Sequence, residues 1–378
     1  MAAGLGKNSP IQLTLSRENY EALILRHGQY VRWLQANKCT CLLQSGRPNP
    51  TCKKCGGDGL FYNFQRKKNL YSKPCSVIDG YAIVDDNEFI LNNTNIKEVY
   101  VNGKEITDYT VDYGVIASSQ ISKIDSVTCH GSTSREKTKN VFLSKVDKDG
   151  KIWAFTDDFI QSETTKIYPD ITDVTFKINQ FEIIQVEKIS RNFIYLTHAL
   201  NTDKLLASVK YIMPEKFLIH SQTKDESTQN FLSKCSGDTS MTYPYEFDIA
   251  KDDVITLLFA NKLAKNIITS GGTELDVLPE WFVADIISIE SSDCIYSQSD
   301  FILYDRNKIK WLNPDNQPFE GTKLSVVYRY CPSYRVIAHA EHDTRSSENQ
   351  LLPQMVALKL IIAGGDTNEG IEESFSYF

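Results

Sequence analysis

Four of the chain's cysteines fall within seventeen positions, in the stretch "NKCTCLLQSGRPNPTCKKCGGDGLFY" over residues 37–62. The pattern is Cys39-x-Cys41, ten residues, then Cys52-x-x-Cys55. Two close pairs joined by a loop suit a tetrahedral metal ion, because each pair supplies two thiolates and the loop folds one pair onto the other. The glycines after Cys55 fit that use, since they let the backbone turn tightly and aim N–H groups at sulfur. A disulfide would need an oxidising compartment. A redox Cys-x-x-Cys would open a helix after a strand rather than precede a glycine run. The expected cofactor is therefore structural zinc on Cys39, Cys41, Cys52 and Cys55. Four ligands fill the coordination shell, so no position is left for catalysis.

Other chemistry is sparse. The chain has no phosphate-cradling G-x-x-x-x-G-K-[ST], no G-x-S-x-G elbow and no H-E-x-x-H. The group "HAEHD" from His339 to Asp343 has an H-x-E, but a zinc deaminase also needs a downstream P-C-x-x-C. No cysteine follows Cys331. His339 and His342 are read as the end of a strand and the start of a loop, and His130, His198 and His220 as structural. Asp276, Glu280 and Asp285 are spread over a turn and a strand. No catalytic residue is assigned, and the expected class is non-enzymatic.

Charge is divided unevenly. Residues 1–70 carry eleven Lys/Arg and three Asp/Glu, a balance of +8, against −7 for all 378 residues, which leaves −15 for the rest. A basic head on an acidic body suits contact with nucleic acid or an acidic neighbour. Lys38, Arg47, Lys53 and Lys54 flank the cysteines, and they would equally offset the net −2 of four thiolates on a divalent ion. Arg66, Lys67 and Lys68 lie beyond the knuckle and are the candidates for a DNA or partner contact. No run approaches eighteen apolar residues and the N-terminus has no signal pattern, so no membrane is expected.

The elements that must hold these residues are mostly strands. "SRENYEALILRHG" spaces Tyr20, Leu23, Ile24 and His27 helically, with Ser16 as cap, Glu18 in the first turn and Gly28 as stop. "QYVRWLQAN" then reads as a strand leading to Cys39. From residue 75 short β-rich runs alternate with turn residues, among them a hairpin at Asn102-Gly103. A faint echo links residues 99–116 with 285–311. The tail "ENQLLPQMVALKLIIAG" has helical spacing through Leu351, Met355, Leu358 and Ile361. The expected fold is mainly β with α elements. A helix–strand–zinc-knuckle domain spans 1–70, a β-rich module 71–219 and a polar linker 220–250. A second β-sandwich-like module covers 251–345, and a C-terminal helix with an acidic tail 346–378.

Two resemblances enter on these residues. The run from Cys52 to Gly59, C-x-x-C-x-G-x-G, resembles one knuckle of the DnaJ-type cysteine-rich domain. That family repeats the knuckle and this chain has it once, so a co-chaperone role is not implied. The stretch from His27 through the knuckle to Tyr62 forms a second resemblance together with "DFILYDRNKIKWLNPDNQPFEGTKLSVVYRYCPSYRVIAHAEHDTR". In the latter Asp300-Phe301, Ile309-x-Trp311, Pro318-x-x-Gly321-Thr322, Val326, Tyr328 and Pro332-x-Tyr334 carry the likeness, followed by Arg345 and Leu352-Pro353-Gln354. The pair resembles virion structural proteins of tailed bacteriophages and prophages, of the neck or head–tail connector kind. It covers residues 20–75 and 250–360, and does not separate neck from tail or baseplate. It implies a non-enzymatic protein of the virion, made in the host cytoplasm. Such a protein assembles as a homo-oligomeric ring among portal, neck and tail components and meets genome DNA. A zinc-containing nucleic-acid-binding protein is the alternative.

Overall fold

The computed structural model describes residues 17–52, 54–55, 57–84, 95–112, 114–155, 160–161, 166–167, 169–176, 184–191, 193–202, 204–220, 232, 237–244, 246–340 and 353–361. Within them the chain is mainly β, with one α-helix, α1 (Arg17–His27), ended at Gly28. The Gly28 N–H donates to the Ile24 carbonyl at 2.7 Å, and a Cβ there would sit 2.3 Å from that oxygen. No described helix is long and apolar enough to cross a membrane.

Six strands close into an antiparallel barrel. Its order is Glu215–His220, Thr239–Tyr243, Gln354–Leu360, Ser333–His339, Val254–Leu257 and Gln29–Lys38, and the last pairs back with the first. Leu60–Phe64 extends the sheet beside the far half of Gln29–Lys38. Inside sit Val31, Trp33, Phe217, Met241, Tyr243, Phe247, Ile255, Val336, Val356 and Leu358, all buried. Closure removes the free edges that an open sheet would leave.

Two expectations fail here for physical reasons. The first seventy residues do not form a domain of their own, because Gln29–Lys38 pairs with Glu215–His220 and Val254–Leu257 across about two hundred residues. The expected C-terminal helix is strand Gln354–Leu360, packed between Thr239–Tyr243 and Ser333–His339. Val356, Ala357 and Leu358 are all fully buried, so the strand is apolar on both faces and shows no alternation. Such a run reads like a buried helix. Leu351 and the tail beyond residue 361 lie outside the described residues, as do Ser16 and most of the polar stretch after His220. That stretch ends in a barrel strand, Thr239–Tyr243.

Three modules of one design are inserted between barrel strands. The first spans 67–134, the second 136–212 and the third 262–330. Each begins with an opening strand: Lys67–Ile78, Glu136–Lys145 or Lys262–Thr269. Each ends with a closing strand paired to it: Val127–Ser134, Lys204–Ile212 or Lys323–Tyr330. On the closing strand's other side lies a bulged strand: Asn95–Val101, Asp170–Phe176 or Val283–Glu290. A short strand (Tyr81–Val84, Ile152–Phe155 or Leu275–Val277) pairs with the second arm of a distal hairpin. Those hairpins are Thr110–Asp112 with Val115–Ala117, Val186–Ser190 with Phe193–Leu196, and Phe301–Tyr304 with Lys308–Trp311. In the third module the short strand is not bonded to the opening strand. The sheet there splits into two that share one core around Ile289, Phe301, Trp311 and Val326.

The likeness extends to detail. Each bulged strand shifts register at the same place, between Ile96 and Glu98, Ile171 and Asp173, or Val283 and Asp285. A bulge adds one unpaired residue and bends the strand. The acid just after it faces a base on the closing strand: Glu98 lies 3.1 Å from His130, Asp173 3.3 Å from Lys210, and Asp285 accepts from Arg329 Nε at 2.9 Å. The echo between residues 99–116 and 285–311 falls on these equivalent elements of the first and third modules.

Candidate metal centre

The cysteines lie at the tip of the hairpin made by Gln29–Lys38 and Leu60–Phe64. The ladder's last register pair is Lys38 with Leu60, and beyond it the Cys39 N–H donates to the Gly59 carbonyl at 2.8 Å. Cys39 and Cys41 thus leave on the outgoing arm, and Cys52 and Cys55 return on the other. Between them the chain folds on itself. Asn49 N–H bonds the Cys41 carbonyl at 2.8 Å, Cys52 N–H the Asn49 carbonyl at 3.1 Å, and Asn49 Oδ1 accepts from the Thr51 N–H at 3.0 Å. Gly59 has φ +75°, and a Cβ would come 2.6 Å from Pro48 Cγ. A side chain at that position would have to displace Pro48.

All four sulfurs lie within 4.8 Å of one another, with Cys39–Cys52 at 3.8 Å and Cys41–Cys55 at 3.3 Å. A tetrahedral ion with bonds of about 2.3 Å separates its sulfurs by about 3.8 Å, so the cluster is of the size to bind a metal. Cys39 and Cys55 are buried and the other two half-buried. The thiols also polarise one another. The backbone N–H of Cys55 is the chief cause that pulls the Cys52 thiol down to about 6, while the hydrogen bond with Cys55 pushes Cys41 up to about 12. A bound cation would favour the thiolate form of all four. Among the described residues no other group of three or more His, Cys, Asp or Glu side chains converges in this way.

The basic residues nearby are dispersed. Lys54 lies over the Phe61 ring at 3.9 Å. Lys68 sits 3.9 Å from Glu246 and exposed Arg66 3.7 Å from Glu136, while Lys67 points to solvent. The three candidate contact residues therefore lie along the link from barrel to first module. Lys53 is outside the described residues.

Two arginines that the sequence did not single out join the barrel to its insertions. Arg135 is almost buried between the first two modules. It donates to Gln65 O at 2.8 Å and Glu215 at 3.2 Å, and lies over Trp33 and Phe247. Arg32 donates to Asp170 at 2.8 Å and lies over Phe64 and Phe282. Part of the basic head is therefore spent on internal joints. Asp253, fully buried at the barrel wall, accepts from Trp33 Nε1 and from the N–H groups of Ala36 and Ala250, at 2.8 to 2.9 Å. Burial nevertheless pushes its carboxyl up to about 6. No local pattern marks these residues, because their partners lie up to 220 positions away.

The remaining candidates do not assemble. His339 ends its strand and burial lowers its pKa, while His342 and Asp343 lie outside the described residues. His220 bonds Thr242 at 2.7 Å. Asp276 is tied to Ser270, Gly271 and Trp311, and Asp285 to Arg329. No known family model matches the chain, and no curated protein matches it.

Proposed function

We propose that this is a structural virion protein of a tailed phage. In this reading it is a non-enzymatic neck or head–tail connector component, forming a ring between portal and tail, and the four cysteines hold structural zinc. The observation that carries the reading is the build: one barrel bearing three β-modules of a single design, with the thiolate cluster at a hairpin tip. Repeated modules on one hub offer several outward faces from one chain, which suits a component with several neighbours. The stretches that resemble phage proteins fall on that knuckle, on the third module and on the barrel strand that follows it. Zinc is the choice of metal because four thiolates in a closed tetrahedral set favour it over harder cations.

The role of Arg66, Lys67 and Lys68 in meeting DNA or an acidic neighbour belongs to the same proposal. So do virion localisation, assembly in the host cytoplasm, and the portal, neck and tail partners. The test is peptide mass spectrometry of density-purified particles, with copy number relative to the major capsid protein. A fixed low copy number is the expected result. Absence from particles despite abundance in the cell would remove the virion reading and advance a zinc-containing nucleic-acid-binding protein. That alternative predicts salt-dependent binding to DNA or RNA through the basic head.

A further inference from the structure

The second and third modules pack against each other, and they do so through equivalent surfaces. From the second module come Ile152 on the short strand, with Lys188, Ser190, Arg191 and Tyr195 on the distal hairpin. From the third come Ile302, Tyr304, Asp305 and Lys310, again on the distal hairpin. Ile152, Tyr195 and Ile302 form one buried cluster, and the Tyr195 and Tyr304 rings stack edge-on at 5.2 Å. Lys310 lies over the Tyr195 ring, and Lys188 reaches Asp305 at 3.0 Å. The hairpin turns also interlock: Arg191 donates to the carbonyls of Val283, Asp305 and Arg306, and the Asp305 N–H donates to Ser190 Oγ.

Register identifies the same face in the first module. Ile152 stands opposite Tyr195, and Tyr195 opposite Lys188. In the third module Leu275 stands opposite Lys310, and Lys310 opposite Ile302. The matching row in the first module is Tyr81, Ala117 and Thr110, continued by Ile78 opposite Tyr81. Ile152 and Tyr195 are 6% and 5% exposed, whereas Tyr81 is 51% and Ile78 55% exposed. The design used twice as a contact inside the chain is thus turned to solvent the third time.

We infer that this face, the row Ile78–Tyr81–Ala117–Thr110, is a self-association surface whose occupant is the same face of a second copy of the chain. The occupant follows from the internal contact, where this face is covered by its own equivalent on a sister module. A second copy supplies another such face, and the contact is then isologous and closes at two chains. Ile78 and Tyr81 supply the apolar centre, of the kind that carries most of the energy in protein contacts. The inference does not rest on the virion reading, since a ring needs head-to-tail contacts of a different kind.

Sedimentation equilibrium of the full chain tests it, comparing the unmodified protein with Tyr81→Glu and with Ile267→Glu. Ile267 is a 72%-exposed residue on the third module's opening strand, away from the row. Thermal unfolding checks that each variant is folded. The expected result is a dimer that Tyr81→Glu weakens about tenfold or more and Ile267→Glu leaves unchanged. Three results would each overturn it: a monomer at high micromolar concentration, a dimer indifferent to Tyr81→Glu, or equal loss in both variants.

Discussion

The barrel and the modules are built on opposite plans. Each module is one continuous stretch whose strands pair with near neighbours around a private core of buried side chains, such as Val99, Ile116 and Cys129 in the first or Leu143, Trp153 and Ile194 in the second. The barrel takes its strands from residues 29–64, 215–257 and 333–360, so its closure joins segments that the insertions separate in sequence. Closing a loop costs entropy that grows only slowly with length. A folded module shortens the effective loop further, so long insertions are compatible with a closed barrel. What the barrel requires in return is joints, and these mix charge with aromatic packing: Arg135 on Glu215, Arg32 on Asp170, and Trp281 edge-on to Tyr62. Its hairpin tip buries little besides Cys39 and Cys55, whose sulfurs cluster with those of Cys41 and Cys52.

The tip is where the contrast should be broken most completely. Residues 39–59 bury few apolar side chains, and Leu42 and Leu43 stay exposed. A structural metal supplies folding free energy directly, on the order of 10 kcal/mol in small zinc sites. Chelation, or Cys52→Ser, should therefore leave 39–59 exchanging amide hydrogen like an unfolded chain. The effect should stop at Lys38 and Leu60, because Val31, Trp33 and Leu34 are buried in the barrel. Hydrogen exchange followed by mass spectrometry reads both halves of the prediction. Undiminished protection of 39–59 without metal would show that the loop's own hydrogen bonds suffice.

The second test concerns the barrel's buried carboxylate. Burial raises Asp253 from 3.8 to about 6, so the charged form is less favourable in the fold than in the unfolded chain. A raised acid contributes stability that is complete below its unfolded pKa and is lost as pH rises through the folded one. At 1.36 kcal/mol per unit, that is about 3 kcal/mol lost between pH 4 and pH 6. Denaturant unfolding across that window should show the decline in the unmodified protein and a flatter profile in Asp253→Asn, whatever the variant's absolute stability. Equal slopes would place the pH dependence elsewhere.

These regions were not equally legible in the sequence. The cysteine tetrad and the β-rich class were visible because spacing and turn residues encode them locally, as at Asn102-Gly103, where both residues take positive φ. The barrel was not, because a strand such as Gln29–Lys38 carries no mark of partners two hundred residues away. Gln354–Leu360 reads as a helix because burial on both faces erases the two-residue period that distinguishes a strand. The threefold repeat showed only as an echo between two modules. Its constant features are a register shift and an acid facing a base, written as Ile96-Lys97-Glu98-Val99, Ile171-Thr172-Asp173-Val174 and Val283-Ala284-Asp285-Ile286. Identity of position survives there where identity of residue does not.

That recurring acid gives the smallest expected effect. The Asp285–Arg329 pair is bidentate and the Asp173–Lys210 pair is a single contact at 3.3 Å, and all four side chains are more than two-fifths exposed. Exposed pairs contribute about 0–1 kcal/mol, with bidentate arginine at the upper end. Asp285→Ala should therefore cost about 1 kcal/mol and lose that cost in high salt. Asp173 has a second function: its Oδ1 accepts from the Val174 N–H at 2.9 Å and ties down the bulge. Asp173→Asn keeps that bond and should be nearly neutral, whereas Asp173→Ala loses it along with the ion pair. If urea unfolding gives the two Asp173 variants equal stability, the acid acts only through its charge. If Ala alone is destabilising, Asp173 acts by fixing the bulge of the second module, and with it that strand's register.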